Sequence, residues 1–311
     1  MTNILCVSGY GWSGSGLLID MLKTEKSMFY HLPVELRFIK DDNGLIDLYN
    51  SVLPTSSIFN FNIKLRKFEY LCFVLSRKNG LRFGMNYNYI FSNFFICALN
   101  NFLYKLKSHT YKSDAFTFQY ENTLFQDLLW KILRKLDLAS RLSVRYSPPE
   151  LKEFENYCID FIKEICSAYE GFVIFDQALE PNDLKTFNWL FPNQKFITVD
   201  RDPRDVYVDY LKSKDVSFDV NEFIRLFLIK RHDIENNNVQ LNLKFEDLIL
   251  DKKQSLIKLK EYLSLSEITF NNLLNYDFGN SINNVGIHKY HKDQKAISII
   301  EDYLSDYCYF K

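Results

Sequence analysis

A net excess of charge of either sign is missing from this chain. Its 311 residues carry 38 Lys and Arg against 39 Asp and Glu, a formal net charge of −1. Proteins that wrap nucleic acid or another polyanion present a large basic excess. We therefore expect no nucleic-acid partner, and any anion site must be local. The hydrophobic content of 47% and aromatic content of 16% indicate a globular chain.

Closely spaced cysteine pairs are also missing. None of the six cysteines forms the CxxC spacing typical of metal sites, so we expect no metal and no disulfide framework. Reduced thiols fit a cytoplasmic protein better. The cysteines are Cys6, Cys72, Cys97, Cys158, Cys166 and Cys308.

Long apolar runs are scarce. No basic-then-apolar leader precedes the first apolar run, Ile4 to Val7, so we expect no signal peptide and a cytoplasmic location. The most lipophilic stretch, Tyr89 to Tyr104, is short and interrupted by serine and asparagine, which argues against a transmembrane segment. The richness in Lys, Asn, Phe and Tyr suggests a bacterial source.

Four of the ten glycines lie within eight positions, at Gly9, Gly11, Gly14 and Gly16. They follow the apolar run 4–7, which predicts a buried parallel strand, and they lead into an apolar helical pattern. Glycines let the backbone approach an oxyanion, and the unpaired N–H groups of the first helical turn point at it. This stretch predicts a phosphate cradle. The alternative is a tight strand-to-helix turn without a ligand.

Three further apolar runs predict strands at 171–175, 195–199 and 241–245, with amphipathic helices between them. Alternating strands and helices predict an α/β fold with a parallel sheet covered on both faces, in a single domain spanning 1–311. Residues 55–150 interrupt this pattern. Helical patches near 64–77, 89–106 and 122–141 predict a mostly helical insertion, which we interpret as a possible acceptor-binding region; solvated helix faces are the alternative for its basic residues.

Four segments, in order, carry a resemblance to a known family. They are Trp12-Ser13-Gly14-Ser15-Gly16, Arg201-Asp202-Pro203-Arg204-Asp205, Phe245-Glu246-Asp247-Leu248 and Val285-Gly286-Ile287-His288-Lys289. The chain resembles the sulfotransferases that use 3′-phosphoadenosine 5′-phosphosulfate (PAPS), specifically the bacterial carbohydrate-type enzymes, over about 1–40 and 170–311. The resemblance implies a P-loop NTPase-like three-layer sandwich, PAPS as co-substrate without a metal, and a saccharide or glycolipid hydroxyl as acceptor.

The same resemblance implies a donor site. In the family, the first segment holds the 5′-phosphosulfate, the arginine of the second binds the 3′-phosphate, and the last loop adds further contacts. The residues carried over are Gly11, Trp12, Ser13, Gly14, Ser15, Gly16, Arg201, Asp209, Gly286 and Lys289. For Arg201 the alternative is an intramolecular salt bridge. We expect Asp205 to be structural, by pairing within its loop or capping the next helix.

Three positions depart from the family pattern. Trp12 replaces a cationic residue, so Lys289, Lys292 or the helix N-terminus would have to compensate. Gly16 replaces a hydroxyl residue. Asp209 stands where a serine helps bind the 3′-phosphate, and a carboxylate beside a phosphate is repulsive unless a cation intervenes.

Sulfuryl transfer requires a base for the proton of the acceptor hydroxyl. Glu35, shortly after the first helix, is the first candidate by the resemblance, and His31 and Asp176 follow. An exposed loop carboxylate is the alternative for Glu35. Asp176, at the end of a predicted strand, could instead orient the acceptor.

Two other functions compete. A P-loop kinase fits Gly9-x4-Gly14, but Ser15-Gly16 replaces the Lys-[Ser/Thr] that reaches the phosphates and Mg²⁺. A catalytically degenerate sulfotransferase fold, which only binds a nucleotide or glycan, is favoured by Trp12 and Asp209. A dinucleotide site is set aside: Gly9-x-Gly11-x-x-Gly14 has the spacing, but we identify no acidic ribose partner after it.

Overall fold

The computed structural model describes residues 3–113, 123–138, 143–191, 193–213, 219–231 and 240–309. The chain forms two compact units. Residues 1–36 and 169–311 make the first, and residues 37–168 make the second. The second unit contains the predicted insertion 55–150 together with residues on either side of it.

Seven strands are present in the described part of the chain. They are β1 (Asn3–Gly9), β2 (Phe29–His31), β3 (Thr110–Ser113), β4 (Ser143–Tyr146), β5 (Phe172–Asp176), β6 (Gln194–Asp200) and β7 (Gln240–Lys244). Five of them form the parallel sheet of the first unit, in the order β2-β5-β1-β6-β7. The glycine-rich stretch therefore follows the central strand.

The register places the polar strand ends along one edge of this sheet. Val7 of β1 lies opposite Asp176 of β5, and Gly9 lies opposite Val199 of β6. Asp200 is paired with Lys244 at the end of β7. Since all five strands run in the same direction, their carboxyl ends meet where ligands bind in open α/β sheets.

The helices of the first unit flank this sheet. They are α1 (Ser15–Leu22), α9 (Leu184–Phe187), α10 (Pro203–Lys212), α11 (Val220–Ile229), α12 (Phe245–Leu250), α13 (Lys252–Leu263), α14 (Glu267–Leu274) and α15 (Gln294–Tyr303). On one face, Leu5 and Val7 pack with Leu18 of α1 and Leu259 of α13. On the other, the ring of Phe191, after α9, contacts the rings of Phe175 and Phe196. The predicted α/β fold with a covered, central parallel sheet is confirmed.

The second unit is mostly helical, as predicted. Its helices are α2 (Arg37–Lys40), α3 (Leu45–Val52), α4 (Ile58–Ser76), α5 (Tyr87–Ile90), α6 (Phe94–Leu106), α7 (Leu124–Lys135) and α8 (Leu151–Cys166). The ring of Phe38 contacts the rings of Phe95 and Phe161 in its core. The strands β3 and β4 pair antiparallel, a hairpin that the sequence analysis did not predict.

Several element boundaries differ from the expectations. The patch expected at 89–106 is two helices, because Ser92 and Asn93 have positive φ angles of 51° and 67°. Phe245 begins α12 instead of ending a strand. The end of the patch expected at 122–141 lies outside the described residues.

Within the described residues, no helix is both long and apolar enough to cross a bilayer.

Candidate functional site

The glycine-rich loop occupies the turn between β1 and α1. Gly11 and Gly14 have φ angles of 80° and 84°, in the left-handed region that favours glycine. A Cβ atom on Gly14 would lie 2.2 Å from the Phe245 ring, so this position also requires close packing. Trp12 has a φ of 50°, a strained conformation for a bulky residue. The loop has the tight backbone that an anion cradle requires.

The loop presents amides without backbone acceptors. In the described part of the chain, no backbone carbonyl accepts a hydrogen bond from the amides of residues 12–16. The buried hydroxyl of Ser13 has no hydrogen-bond partner among the described residues either. Unpaired amides at the start of α1, together with the positive end of the helix dipole, favour an anion.

Gln177, which the sequence analysis did not single out as a site residue, braces this loop. Its Oε1 accepts from the Gly9 amide at 3.4 Å, and its Nε2 donates to the Ser15 hydroxyl at 2.9 Å. It follows β5 directly, so the sheet fixes its backbone beside β1. The polar pair Asp176-Gln177 at a strand end was the sequence signal for this position.

Arg201 connects the glycine-rich loop with a loop near the C-terminus. Its Nη1 donates to the Trp12 carbonyl at 3.1 Å, and its Nη2 donates to the Asn284 carbonyl at 2.6 Å. The guanidinium lies 4.8 Å from the centre of the Phe245 ring. The residue is only 3% exposed, and its buried Nε has no partner among the described residues. A buried donor without a partner is costly, which indicates that an acceptor can bind here.

Asp209 also contacts Arg201. Its Oδ2 accepts from Nη1 of Arg201 at 2.6 Å, and its Oδ1 accepts from Lys212 at 2.8 Å. The intramolecular salt bridge considered for Arg201 is therefore present in this structure. Asp209 lies at the predicted donor site, but it pairs with the arginine that was expected to bind the phosphate.

Asp205 holds the C-terminal loop. Its Oδ2 accepts from the Gly286 amide at 2.7 Å, and its Oδ1 accepts from the His288 amide at 3.0 Å. The His288 ring Nδ1 lies 2.5 Å from the same Oδ1. The structural role expected for Asp205 is present, but its partners lie more than 80 residues away rather than in its own loop. Asp202 is the residue that caps α10, by accepting from the Arg204 amide.

Glu246 lies beneath this cluster. Its Oε1 accepts from the Asp202 amide at 2.9 Å, and its buried Oε2 has no partner among the described residues. Burial raises the pKa of Glu246 to about 7, and the nearby carboxylates of Asp202 and Asp205 act in the same direction, while the Asp202 amide lowers it. The sequence marked Glu246 only as part of a motif, so its titration near neutral pH is a finding of the structure.

Gly286 and Lys289 lie in the loop that Asp205 holds. Gly286 is buried with a φ of 72°, and a short 3₁₀ segment, Ile287–Tyr290, follows it. Lys289 is exposed, with its side chain passing over Gly286. Lys292, the other cation considered for compensation, is also exposed.

Trp12 borders a small cavity on the side of α10 and α11. Its ring contacts the Tyr210 ring with a centroid distance of 4.0 Å and a tilt of 39°, and the residue remains 42% exposed. The cavity has a volume of about 220 Å³, and its walls include Phe223, Phe227 and Lys230. A flat aromatic surface beside the glycine-rich loop suits a ring-shaped or apolar group.

A second cavity, of about 520 Å³, lies near the ends of β6 and β7. Asp200 pairs there with Arg231 at 2.5 Å and with Lys244 at 2.9 Å. The Arg231 guanidinium lies 3.4 Å from the centre of the Phe227 ring and 3.9 Å from that of Tyr10. This group was not predicted from the sequence. Its members come from three separate elements, so no local pattern marks it.

The three candidate bases lie at or after the ends of strands on one side of the sheet. His31 ends the edge strand β2, and Asp176 ends the neighbouring β5. Burial, and then Lys23, lower the pKa of His31, so its ring is neutral at pH 7 and can accept a proton. Glu35 is exposed in the segment after β2.

In the described residues, no group of three or more His, Cys, Asp or Glu side chains is placed to hold a metal ion.

Substitution of Gly14 tests the tight loop. We expect Gly14→Ala to lower the free energy of unfolding by at least about 1–2 kcal/mol, because alanine disfavours the positive φ and its methyl group meets Phe245. The matched control is Gly16→Ala, since a Cβ there meets nothing within 4 Å. We expect the control to be unchanged or more stable by up to about 1 kcal/mol. Urea denaturation measures both variants, and an equal loss of the free energy of unfolding in the two would contradict the close packing of Gly14 against Phe245.

The raised pKa of Glu246 predicts a pH dependence of stability. Between pH 4.5 and 7 the unfolded chain ionises this group while the folded chain keeps it protonated. The free energy of unfolding therefore falls as pH rises through this window. Glu246→Gln cannot ionise, so we expect its stability relative to wild type to be higher at pH 8 than at pH 5 by roughly 2 kcal/mol. Urea denaturation at both pH values measures this; a pH-independent difference would exclude it.

No family model and no curated protein sequence matches the chain. The solved structures similar to it include two sulfotransferases. One is the sulfotransferase domain of the Synechococcus PCC 7002 olefin synthase, with a TM-score of 0.41 and 14% identity over 97% of this chain and 94% of that chain. The other is sulfotransferase STF9 from Mycobacterium avium, with a TM-score of 0.39 and 10% identity over 97% of this chain and 76% of that chain. At these values, neither likeness assigns the chain to a family.

Proposed function

We propose that this chain is a sulfotransferase that moves a sulfuryl group from PAPS to a hydroxyl group of a saccharide or glycolipid. One observation carries the proposal. Arg201, buried and with an unpartnered Nε, donates to the carbonyl of the glycine-rich loop and to that of the 284–289 loop. Segments that resemble the donor-binding motifs of one family, and that are far apart in sequence, thus meet at one arginine.

The residues fit the donor in two places. The amides of residues 12–16, at the start of α1, suit the 5′-phosphosulfate, because they are directed donors at a helix N-terminus. The Arg201 guanidinium suits the 3′-phosphate, since its fork matches phosphate oxygens. Gly286 and Lys289 lie in the loop that Asp205 positions. Lys289 would supply the positive charge that is missing because Trp12 replaces the cationic residue of the motif.

Sulfuryl transfer requires stabilisation of the charge on the leaving group and one proton acceptor. The acceptor hydroxyl oxygen attacks sulfur, the bond from sulfur to the phosphate oxygen breaks, and 3′-phosphoadenosine 5′-phosphate (PAP) leaves. The loop amides, being fixed in place, stabilise the charge on the leaving phosphate. The hydroxyl proton passes to a base, for which we propose Glu35 first and His31 or Asp176 next. The neutral ring of His31 is ready to receive it.

The aromatic cavity beside Trp12 supports a ring-bearing acceptor. The faces of Trp12 and Phe223 offer flat apolar surface, and Lys230 places a cation at its margin. A saccharide ring or the apolar part of a glycolipid can contact such walls. The region 55–150 remains our proposal for further acceptor contacts.

A catalytically degenerate nucleotide- or glycan-binding protein is the second candidate. The carboxylate of Asp209 on Arg201 favours it, because it lies where a phosphate would be expected to bind. The P-loop kinase ranks below both, since Ser15 and Gly16 offer neither the lysine nor the metal-binding hydroxyl in the required order.

Calorimetry tests the donor site. We expect wild type to bind PAP more tightly than ADP or ATP–Mg²⁺, and Arg201→Ala to lose about 10- to 100-fold in PAP affinity, because charge-assisted hydrogen bonds are removed. Arg225→Ala is the matched control, since Arg225 is an exposed arginine that pairs with Glu222 within α11. Better binding of ATP–Mg²⁺ than of PAP would overturn the sulfotransferase proposal in favour of a kinase.

Isosteric substitutions test the base. We expect Glu35→Gln to lower kcat by about 10²-fold with unchanged PAP affinity, because general-base catalysis contributes on this scale. The assay is transfer of radioactive sulfate from PAPS to a panel of glycans and glycolipids. His31→Gln and Asp176→Asn are assayed in parallel. If Glu35→Gln keeps full kcat while one of these loses it, the base is the residue whose change abolishes transfer.

A further inference from the structure

Arg201 has five N–H groups, and their distribution defines what it can still bind. Two are given to the backbone carbonyls of Trp12 and Asn284, which fix the guanidinium between two loops. A third is given to Asp209. The Nε–H is buried and has no partner among the described residues. A ligand oxygen that uses the arginine fork must therefore approach a guanidinium that already carries a carboxylate.

Asp209 can break its ion pair with Arg201 and still keep a cationic partner. Its other oxygen accepts from Lys212, and the Lys212 side chain is 60% exposed while that of Arg201 is 4% exposed. The carboxylate is thus shared between a buried cation that two carbonyls hold and an exposed one. Breaking the contact with Arg201 leaves Asp209 paired with Lys212 and in contact with water.

We propose that Asp209 is a specificity-determining residue that occupies the place of the donor's 3′-phosphate on Arg201. This rests on the proposed function. The carboxylate neutralises the buried arginine in the absence of donor, and the phosphate must either displace it from Nη1 or bind beside it through Nε. Two anions on one guanidinium repel each other, so Asp209 lowers the affinity gained from a 3′-phosphate. The chain then gains less affinity from a 3′-phosphate than it would with a neutral side chain at position 209.

The test compares PAP with AMP, which differ only by the 3′-phosphate. Calorimetry gives the ratio of the AMP to the PAP dissociation constant for wild type, Asp209→Asn and Asp209→Ser. We expect both substitutions to raise this ratio at least tenfold, mainly by tighter PAP binding. Glu222→Gln is the matched control, because it also removes one carboxylate from an i,i+3 ion pair, in α11. We expect the control to leave the ratio unchanged. Circular dichroism checks that all variants are folded.

The outcomes separate this inference from the proposed function. An unchanged ratio in both Asp209 variants, with PAP still bound, overturns the inference and leaves the donor site standing. A rise in the Glu222→Gln ratio equal to theirs also overturns it, because general charge would then explain the effect. Failure of every variant to bind either nucleotide overturns both. A raised ratio without sulfate transfer supports the inference and rejects turnover.

Discussion

Hydrogen bonds from the segment Arg201–Asp205 hold the candidate site together. This segment turns from β6 into α10, where the Asp202 side chain and Pro203 define the first helical turn. Its groups contact Trp12, Glu246 and Gly286, which lie 189, 44 and 81 residues from their partners. The glycine-rich loop and the C-terminal loop have little regular structure of their own. Their positions beside the sheet edge therefore depend on this turn, together with Gln177 in the case of the glycine-rich loop.

The same turn concentrates buried charge, which is costly unless each group is paired. Asp205 receives two amides and an imidazole, and Arg201 has two carbonyls and a carboxylate. Glu246 is bonded only through backbone amides, and burial is the largest influence on its pKa. The cluster thus contains a carboxylate with several hydrogen-bond donors, Asp205, and a poorly hydrogen-bonded one, Glu246, whose pKa burial raises to about 7. It also keeps a buried donor on Arg201 for which the protein supplies no acceptor.

The sequence predicted the sheet well where strands are continuous apolar runs, as at Ile4 to Val7 and Lys195 to Val199. It missed β2, because three residues with an exposed Tyr30 give no period to detect. Motif order placed Arg201 and the glycine-rich loop at one sheet edge. It did not reveal that the Phe245 ring packs against Gly14 or that Gln177 hydrogen-bonds to the glycine-rich loop. It also did not reveal that Asp205 accepts hydrogen bonds from the C-terminal loop. These contacts are long-range packing, and nothing in the local pattern encodes their partners.

Two features lower the positive charge of the proposed donor site. Trp12 stands where the related motif has a cation, and Asp209 neutralises Arg201. Beside Lys289, the donor site then depends on the dipole of α1, equivalent to about half a charge, and on the amides of residues 12–16. A ligand held in this way is recognised by the positions of its oxygen atoms more than by its total charge. Backbone geometry must then carry selectivity, which accounts for a bulky Trp12 held at positive φ by Arg201 on its carbonyl and Tyr210 on its ring.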